Sequence, residues 1–280
     1  MSPPSVSASP ERTELHGVLG RAYIDLEPFV DLAPLDAIHE EVCLALAQLP
    51  VDYTGGSHRS MGIMPQGYES EALVDYGEII EGLLADAFAT FRELADDPAA
   101  IDASRESHQT FGEERDVLLS RRQMLWLKVR FGVYFPWKAY VELMPNRSWS
   151  DKSSAAGKAF TARAKAFLPK TVAYVQTLPF REIGRCNIMG LEGSDHGTVH
   201  RDGDPSEKPE VDHFIVLCPA KNKRLYLLEP ELNRKTYIDR RAYWFNDSDY
   251  HGVDADPFFR YSIRVDGIFE PSFLERIARP

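Results

Sequence analysis

From Phe180 onward the chain reads as strand after strand. REIGRCNIMGLEG sets Ile183, Arg185, Asn187 and Met189 against Gly184, Cys186, Ile188 and Gly190. A period of two is what an extended chain shows when its faces meet different surroundings. SDHGTVHRDG, DHFIVLCPA, RLYLLEP, the KTYIDRRAYWFND region and FFRYSIRVDGIFEP follow, with KNKR and ELNRK as turns. Short strands with a turn every eight to twelve residues or so predict a sandwich or barrel.

The part before residue 180 reads differently. VLGRAYIDLEPFV, residues 18–30, is a short strand and turn. In the next segment Leu35, Ile38, Val42, Leu46 and Leu49 recur at helical steps, and Pro50 ends the run. His39 and Cys43 lie one helical turn apart there and read as packing residues. Residues 51–70, VDYTGGSHRSMGIMPQGYES, lack any period and form a loop with room for a lid, where His58 and Arg59 could reach a substrate. Residues 72–95 form the strongest helical pattern, with Leu73, Tyr76, Ile80, Leu83, Leu84, Phe88 and Phe91 on one face and Gly82 weakening it. In RQMLWLKVRFGVYFP, Leu125, Leu127, Val129 and Phe131 alternate with Trp126, Lys128, Arg130 and Gly132, which predicts a strand through Phe135. AAGKAFTARAKAFLPKTVAYVQTL predicts a helix disturbed at Pro169.

The expected plan is α+β in a single domain over residues 13–280. A helical elaboration spans about 13–175 and a β core about 180–270, behind a Pro- and Ser-rich flexible tail through residue 12. A net charge of −11 argues against a nucleic-acid surface. No apolar run approaches the roughly 20 residues of a membrane span. Cys43, Cys186 and Cys218 are odd in number and lack metal spacing, which fits a reducing, cytoplasmic setting. There is no GxSxG, no GxGxxG after a strand and no Walker motif.

Chemistry concentrates in HGTVHRDGDP, residues 196–205, and WFNDSDYHGVDADPFFRYSIRVDG, residues 244–267. In an extended segment His200 and Asp202 point to one side while Arg201 points away. His251 can complete the set from another strand. Two imidazoles and a carboxylate with positions left open suit a non-haem Fe(II) centre. His196 stands four residues before His200, but HGTVH lacks a glutamate base and favours a strand, so His196 reads as substrate-facing.

These residues carry a resemblance. Residues 183–269 resemble the double-stranded β-helix (jelly-roll, cupin-like) core of Fe(II)/2-oxoglutarate-dependent oxygenases, with His200, Asp202 and His251 matching the HxD…H triad. Arg260 and Ser262 are similar to the RxS element with which several members hold the far carboxylate of 2-oxoglutarate. WFNDSDYHGV with RYSIRVDG resembles the end of the aspartyl/asparaginyl β-hydroxylase core. The resemblance implies Fe(II), 2-oxoglutarate and O2, and hydroxylation of an unactivated C–H bond with release of succinate and CO2. Desaturation and cyclisation stay open; a carboxylate at Asp202 argues against halogenation.

Arg260, Ser262 and Arg264 share one parity on the last strand, so a guanidinium there can bind a carboxylate in bidentate fashion. Whether Arg260 or Arg264 is the main anchor is left open. Asn187 and Tyr226 are further candidate donors to the co-substrate, and Arg185 to the substrate. The expected substrate is a small molecule or peptide: an amino acid, a peptide or a related compound of natural product biosynthesis. A homodimer is compatible with the chain; nucleic acid and membrane are not expected partners. Two competing readings are a non-catalytic cupin-like binding protein and a zinc hydrolase using His196 and His200.

Overall fold

The computed structural model describes residues 14–49, 63–68, 76–112, 117–133, 135, 139–146, 149–207, 210–220 and 223–279. The expected tail at 1–12 lies outside them, as do His58, Arg59 and most of the loop 51–70.

The described strands form two antiparallel sheets. The larger has the order β1 (Tyr23–Asp25), β8 (Ala242–Phe245), β5 (His213–Leu217), β10 (Arg260–Phe269), β3 (Phe180–Leu191), β2 (Ala139–Met144). The smaller has the order β4 (Gly197–His200), β9 (His251–Val253), β6 (Leu225–Glu229), β7 (Arg234–Tyr237). From β3 to β10 successive strands alternate between the two sheets except at the β6–β7 hairpin, which is the winding of a double-stranded β-helix. The fold is α+β with that core.

Strand β10 organises it. Arg264 pairs with Asn187 of β3 on one side and Val216 of β5 on the other. Alternation along β10 splits its residues between two surroundings. Tyr261, Ile263 and Val265 join a buried cluster with Ile38 and Val42 of α1 (Leu35–Gln48) and Val172 and Val175 of α6 (Pro169–Val175). His39 of α1 meets the Tyr261 hydroxyl at 3.0 Å, so His39 is a packing residue as its spacing suggested. Each fully buried Val or Ile contributes about 1.5–3 kcal/mol over exposure. Arg260, Ser262, Arg264 and Asp266 face the opposite way, into the space between the sheets, and all are buried.

The Pro169 break is real. Helix α5 (Ala162–Phe167) stops before it and α6 starts on it, with Pro at the first turn where its missing N–H costs nothing. The Glu41 carboxylate accepts from the Lys170 and Thr171 amides at 2.8 Å each, which fastens the start of α6 to α1.

Two expectations are corrected. The predicted helix over 72–95 is two helices, α2 (Tyr76–Glu81) and α3 (Ala85–Glu93); residues 72–75 lie outside the described set. The break starts at Gly82, and the Arg105 guanidinium donates to the carbonyls of Ile80, Glu81 and Leu83 around it.

The strand predicted from Leu125 through Phe135 is instead, over most of its length, α4 (Arg121–Phe131). Its ends carry the decisive signals. Ser120 and Gln123 form a reciprocal capping box, and Gly132 closes the helix at φ 71°. The alternation misleads because Leu125 and Val129 are solvent-exposed, at 61% and 77%, while Leu127 is fully buried. Met124 and Leu127 pack with Ile80, Phe88 and Phe91 in a second apolar cluster, which belongs to the helical layer alone. The short C-terminal helix α7 (Pro271–Ile277) buries Phe273 and Ile277 against the main core.

Candidate metal centre

His200 ends β4 and His251 begins β9, and the two are directly paired across the smaller sheet. Their ring centroids lie 4.6 Å apart. Asp202 Oδ1 is 3.3 Å from His200 Nε2 and 3.9 Å from His251 Nε2. One ligand atom from each residue lies within 4.8 Å of the others. Among the described residues no other cluster of His, Cys, Asp or Glu converges in this way.

Orientation is fixed from behind. His200 Nδ1 donates to the Thr198 carbonyl at 2.8 Å, and His251 Nδ1 donates to the Asp249 carbonyl at 2.9 Å. A carbonyl only accepts, so each Nδ1 carries the hydrogen and each Nε2 lone pair faces the cluster. Burial, with the adjacent His200, lowers the His251 pKa to about 3, so its imidazole is neutral and able to ligate. Burial alone would raise the Asp202 pKa. The neighbouring Arg264 charge opposes burial, and the carboxyl is held well below its ordinary range. Two imidazoles and a carboxylate converging on one point from a sheet and its adjoining turn fit a divalent metal.

Buried charged groups surround Asp202. Arg264 Nη1 reaches Asp202 Oδ2 at 3.3 Å, its Nη2 reaches Asp247 Oδ2 at 2.6 Å and its Nε reaches Asp266 Oδ1 at 2.9 Å. Its side chain also lies over the Phe214 ring at 4.0 Å. Arg264 therefore orients Asp202, the candidate ligand, from a buried position in the core. These carboxylates raise the Arg264 pKa against the opposing effect of burial.

Other expected residues divide. Ser262 faces the interior, where Lys223 Nζ donates to its hydroxyl at 2.6 Å. Arg260 shares that face, but its guanidinium is turned onto main-chain carbonyls: Asp254 at 2.7 Å, Glu192 and Phe258 at 3.3 Å, Asp256 and Asp195. It staples two turns together, which corrects its expected role as carboxylate anchor. Asn187 is interior and buried, its Nδ2 bonded to the Tyr140 hydroxyl at 2.8 Å; its Oδ1 has no partner among the described residues.

Tyr226 is a second correction. It pairs with Gly252 and packs with Val199, Leu228, Tyr68 and Tyr250 on the other face of the smaller sheet, away from His251. Arg185 is a third: its Nε and Nη2 both grip Asp266, at 2.9 and 2.8 Å, in a buried ion pair. His196 is exposed and does not join the metal cluster, which removes the geometric basis for a zinc hydrolase built on His196 and His200.

Sequence reading missed Lys223, Asp247, Asp249, Lys152 and Asp212. Asp247 accepts the Asp202 amide on its carbonyl at 2.7 Å, and Lys152 Nζ sits 3.1 Å from its carboxylate and 2.6 Å from Asp212. The Asp249 carboxylate holds the amides of His16 and Gly17 at 2.8 and 2.7 Å, and so ties down the carbonyl that orients His251. The one signal in the sequence was density: NDSD, residues 246–249, one residue short of the candidate ligand His251. The last piece is Ile63, which exchanges two backbone hydrogen bonds, 2.8 and 2.9 Å, with Arg201 between the two ligands.

No protein-family model matches the sequence, and no curated protein does. Solved structures do match. A 2OG-Fe(II) oxygenase family oxidoreductase from Burkholderia pseudomallei is 13% identical, with 45% of this chain and 66% of that one covered and a TM-score of 0.28. A prolyl-4-hydroxylase from Pseudomonas putida is 12% identical over 46% of this chain and 72% of that one, with a TM-score of 0.26. A cupin domain from Bordetella pertussis is 10% identical over 29% and 78%, with a TM-score of 0.22. The chain thus spans just under two thirds of the first of these. Matches this distant assign no residue and no substrate. The sheet winding and the His-Asp-His cluster are those implied by the resemblance to Fe(II)/2-oxoglutarate oxygenases, and they stand on this chain's own geometry.

Proposed function

We propose that the protein is an Fe(II)/2-oxoglutarate-dependent dioxygenase that hydroxylates an unactivated C–H bond of an amino acid, a peptide or a related natural product. One observation carries the reading: two histidines with Nδ1 pinned to carbonyls and one carboxylate converge on a single point. His200, Asp202 and His251 would hold the iron. Bound iron would activate dioxygen, the oxidant, whose two oxygen atoms would pass to succinate and to the substrate hydroxyl as 2-oxoglutarate loses CO2.

The chain's own contribution is binding, orientation and exclusion of water. Arg264 keeps Asp202 turned with Oδ1 toward the histidines. Lys223 and Ser262 form the buried cationic end of the interior and are assigned the far carboxylate of 2-oxoglutarate, with Tyr243 also buried on that face. A lysine with a hydroxyl partner gives a charge-assisted hydrogen bond to such a carboxylate, in place of the guanidinium expected from the sequence. The unpartnered Asn187 Oδ1 and Thr198 Oγ1 are polar atoms available to a bound molecule.

Anaerobic titration of Fe(II) with 2-oxoglutarate tests the reading. A weak visible absorption band requiring both components supports it, followed by succinate release once air and a substrate from a panel of amino acids and peptides are admitted. Folded protein that binds iron but neither develops the band nor turns over 2-oxoglutarate would instead be a cupin-like binding protein.

A further inference from the structure

We infer that Lys152 is a positioning residue for the metal ligand Asp202, acting through Asp247 and Arg264; this deepens the reading of the metal centre and rests on it. Lys152 lies 50 positions before Asp202, in the segment after the helical turn Trp149–Asp151. No motif connects them. In the fold Lys152 is only 2% exposed, and its ammonium sits between the carboxylates of Asp212, at 2.6 Å, and Asp247, at 3.1 Å.

Each further link is short. Asp247 Oδ2 meets Arg264 Nη2 at 2.6 Å, and Arg264 Nη1 meets Asp202 Oδ2 at 3.3 Å. Asp247 also holds the Asp202 main chain, because its carbonyl accepts the Asp202 amide at 2.7 Å. The ligand is therefore gripped twice, at backbone and side chain, and Asp247 takes part in both grips. The Asp247 carboxylate serves two cations at once. Without Lys152 it loses the ion that fixes its second contact, and it is free to follow Arg264 or to rotate out of line.

The cation is built into place. Gly184 of β3 lies so close to the 152–154 segment that an added Cβ would sit 2.3 Å from the Lys152 carbonyl oxygen. The Lys158 ammonium holds the same segment to β3, through the Gly184 carbonyl at 2.8 Å and the Asp151 carboxylate at 2.9 Å. Asp212 is anchored too, since its carbonyl accepts the Trp244 indole N–H at 2.8 Å. A buried lysine with two carboxylate partners, on a strap that requires a glycine beneath it, serves the network and not the surface. Partners behind metal ligands typically govern affinity by 10- to 100-fold or so, and Lys152 stands further back than Arg264.

The test uses Co(II) alone as probe on the full chain, with affinity read by calorimetry and ligand geometry by visible absorption. Lys152→Met is expected to weaken Co(II) binding by about tenfold, at the lower end of that range, and to alter the absorption band. Lys152→Arg should restore most of the affinity. Leu127→Ala, in the separate apolar cluster of the helical layer, should lower the melting temperature and leave affinity and band unchanged. If Lys152→Met does not fold, Asp212→Asn takes its place and must weaken Co(II) binding while Leu127→Ala does not. Wild-type and Lys152→Met proteins that bind Co(II) equally, with the same band, overturn the inference alone. Wild-type protein that binds no divalent metal overturns the metal-centre reading and this inference with it.

Discussion

Lys223 Nζ stands 2.6 Å from Ser262 Oγ in the buried interior, while Arg260, two residues before Ser262 on the same strand face, spends its guanidinium on main-chain carbonyls. This division of labour reverses the expectation from the RxS-like spacing. Lys223→Ala should raise the 2-oxoglutarate concentration needed for half-maximal turnover by 10- to 100-fold or so, the loss of a hydrogen bond to a charged group at about 1.5–3 kcal/mol. Arg260→Ala should chiefly lower the melting temperature. If titration of 2-oxoglutarate ranks the two variants the other way, the anchor is Arg260.

The same lysine gives a pH signature. Burial first, then the neighbouring Arg264 and Arg260, pull the Lys223 pKa down to about 8. Affinity for the dianionic co-substrate should fall as pH rises through that value, because the cation is lost. Stability should move the other way. Between about 8 and the ordinary value of 10.5 the unfolded chain holds a proton that the folded chain lacks, so this group adds stability with rising pH. Lys223→Arg should flatten the affinity profile between pH 7 and 9.5 or thereabouts, since a guanidinium stays charged there. An unchanged profile in that variant would assign the dependence to another group.

His200→Ala and His251→Ala should each abolish succinate formation while leaving the sheets folded. Both side chains lie at strand ends and neither anchors the apolar core. Full activity in His251→Ala would remove it from the ligand set.

Arg264→Ala should weaken Fe(II) or Co(II) binding by roughly 10- to 100-fold. It should also destabilise the metal-free protein by about 3–5 kcal/mol, because Asp247 and Asp266 lose a buried partner. Denaturant unfolding and calorimetry read the two effects separately. A loss of stability with unaltered metal affinity would confine Arg264 to a structural role.

Leu125 and Leu127 distinguish the observed helix from the expected strand. In a strand they share a face; on α4 they do not. Leu127→Ala should cost about 2–5 kcal/mol as a buried truncation, and Leu125→Gln should stay within about 0.5 kcal/mol. Similar losses at both positions would contradict the helix.

The readable parts of this chain were those whose cause is local. Period two on β3 and β10, the i, i+2 geometry of His200 and Asp202, and the helix of Leu35, Ile38 and Val42 each follow from neighbours in sequence. The α4 error was also local, since Ser120, Gln123 and Gly132 announced a helix that the alternation outweighed. What stayed hidden was relational. Lys223 carries no motif, and only the meeting of the β5–β6 connection with β10 gives it a role. Tyr226 and Arg185 were assigned by residue type, and register then placed one on the far face and the other against Asp266. Lys152 and Asp212 join the site only through tertiary packing around Gly184 and Trp244.

The two-bond bridge between Ile63 and Arg201 has a mechanical meaning. The peptide between His200 and Asp202 is one side of a seam whose other side is Ile63. Two rungs can part and reseal without unfolding either sheet, and each parting would slacken His200 and Asp202 together. Proline at position 63 would remove one rung outright and so act on both side chains from outside either sheet.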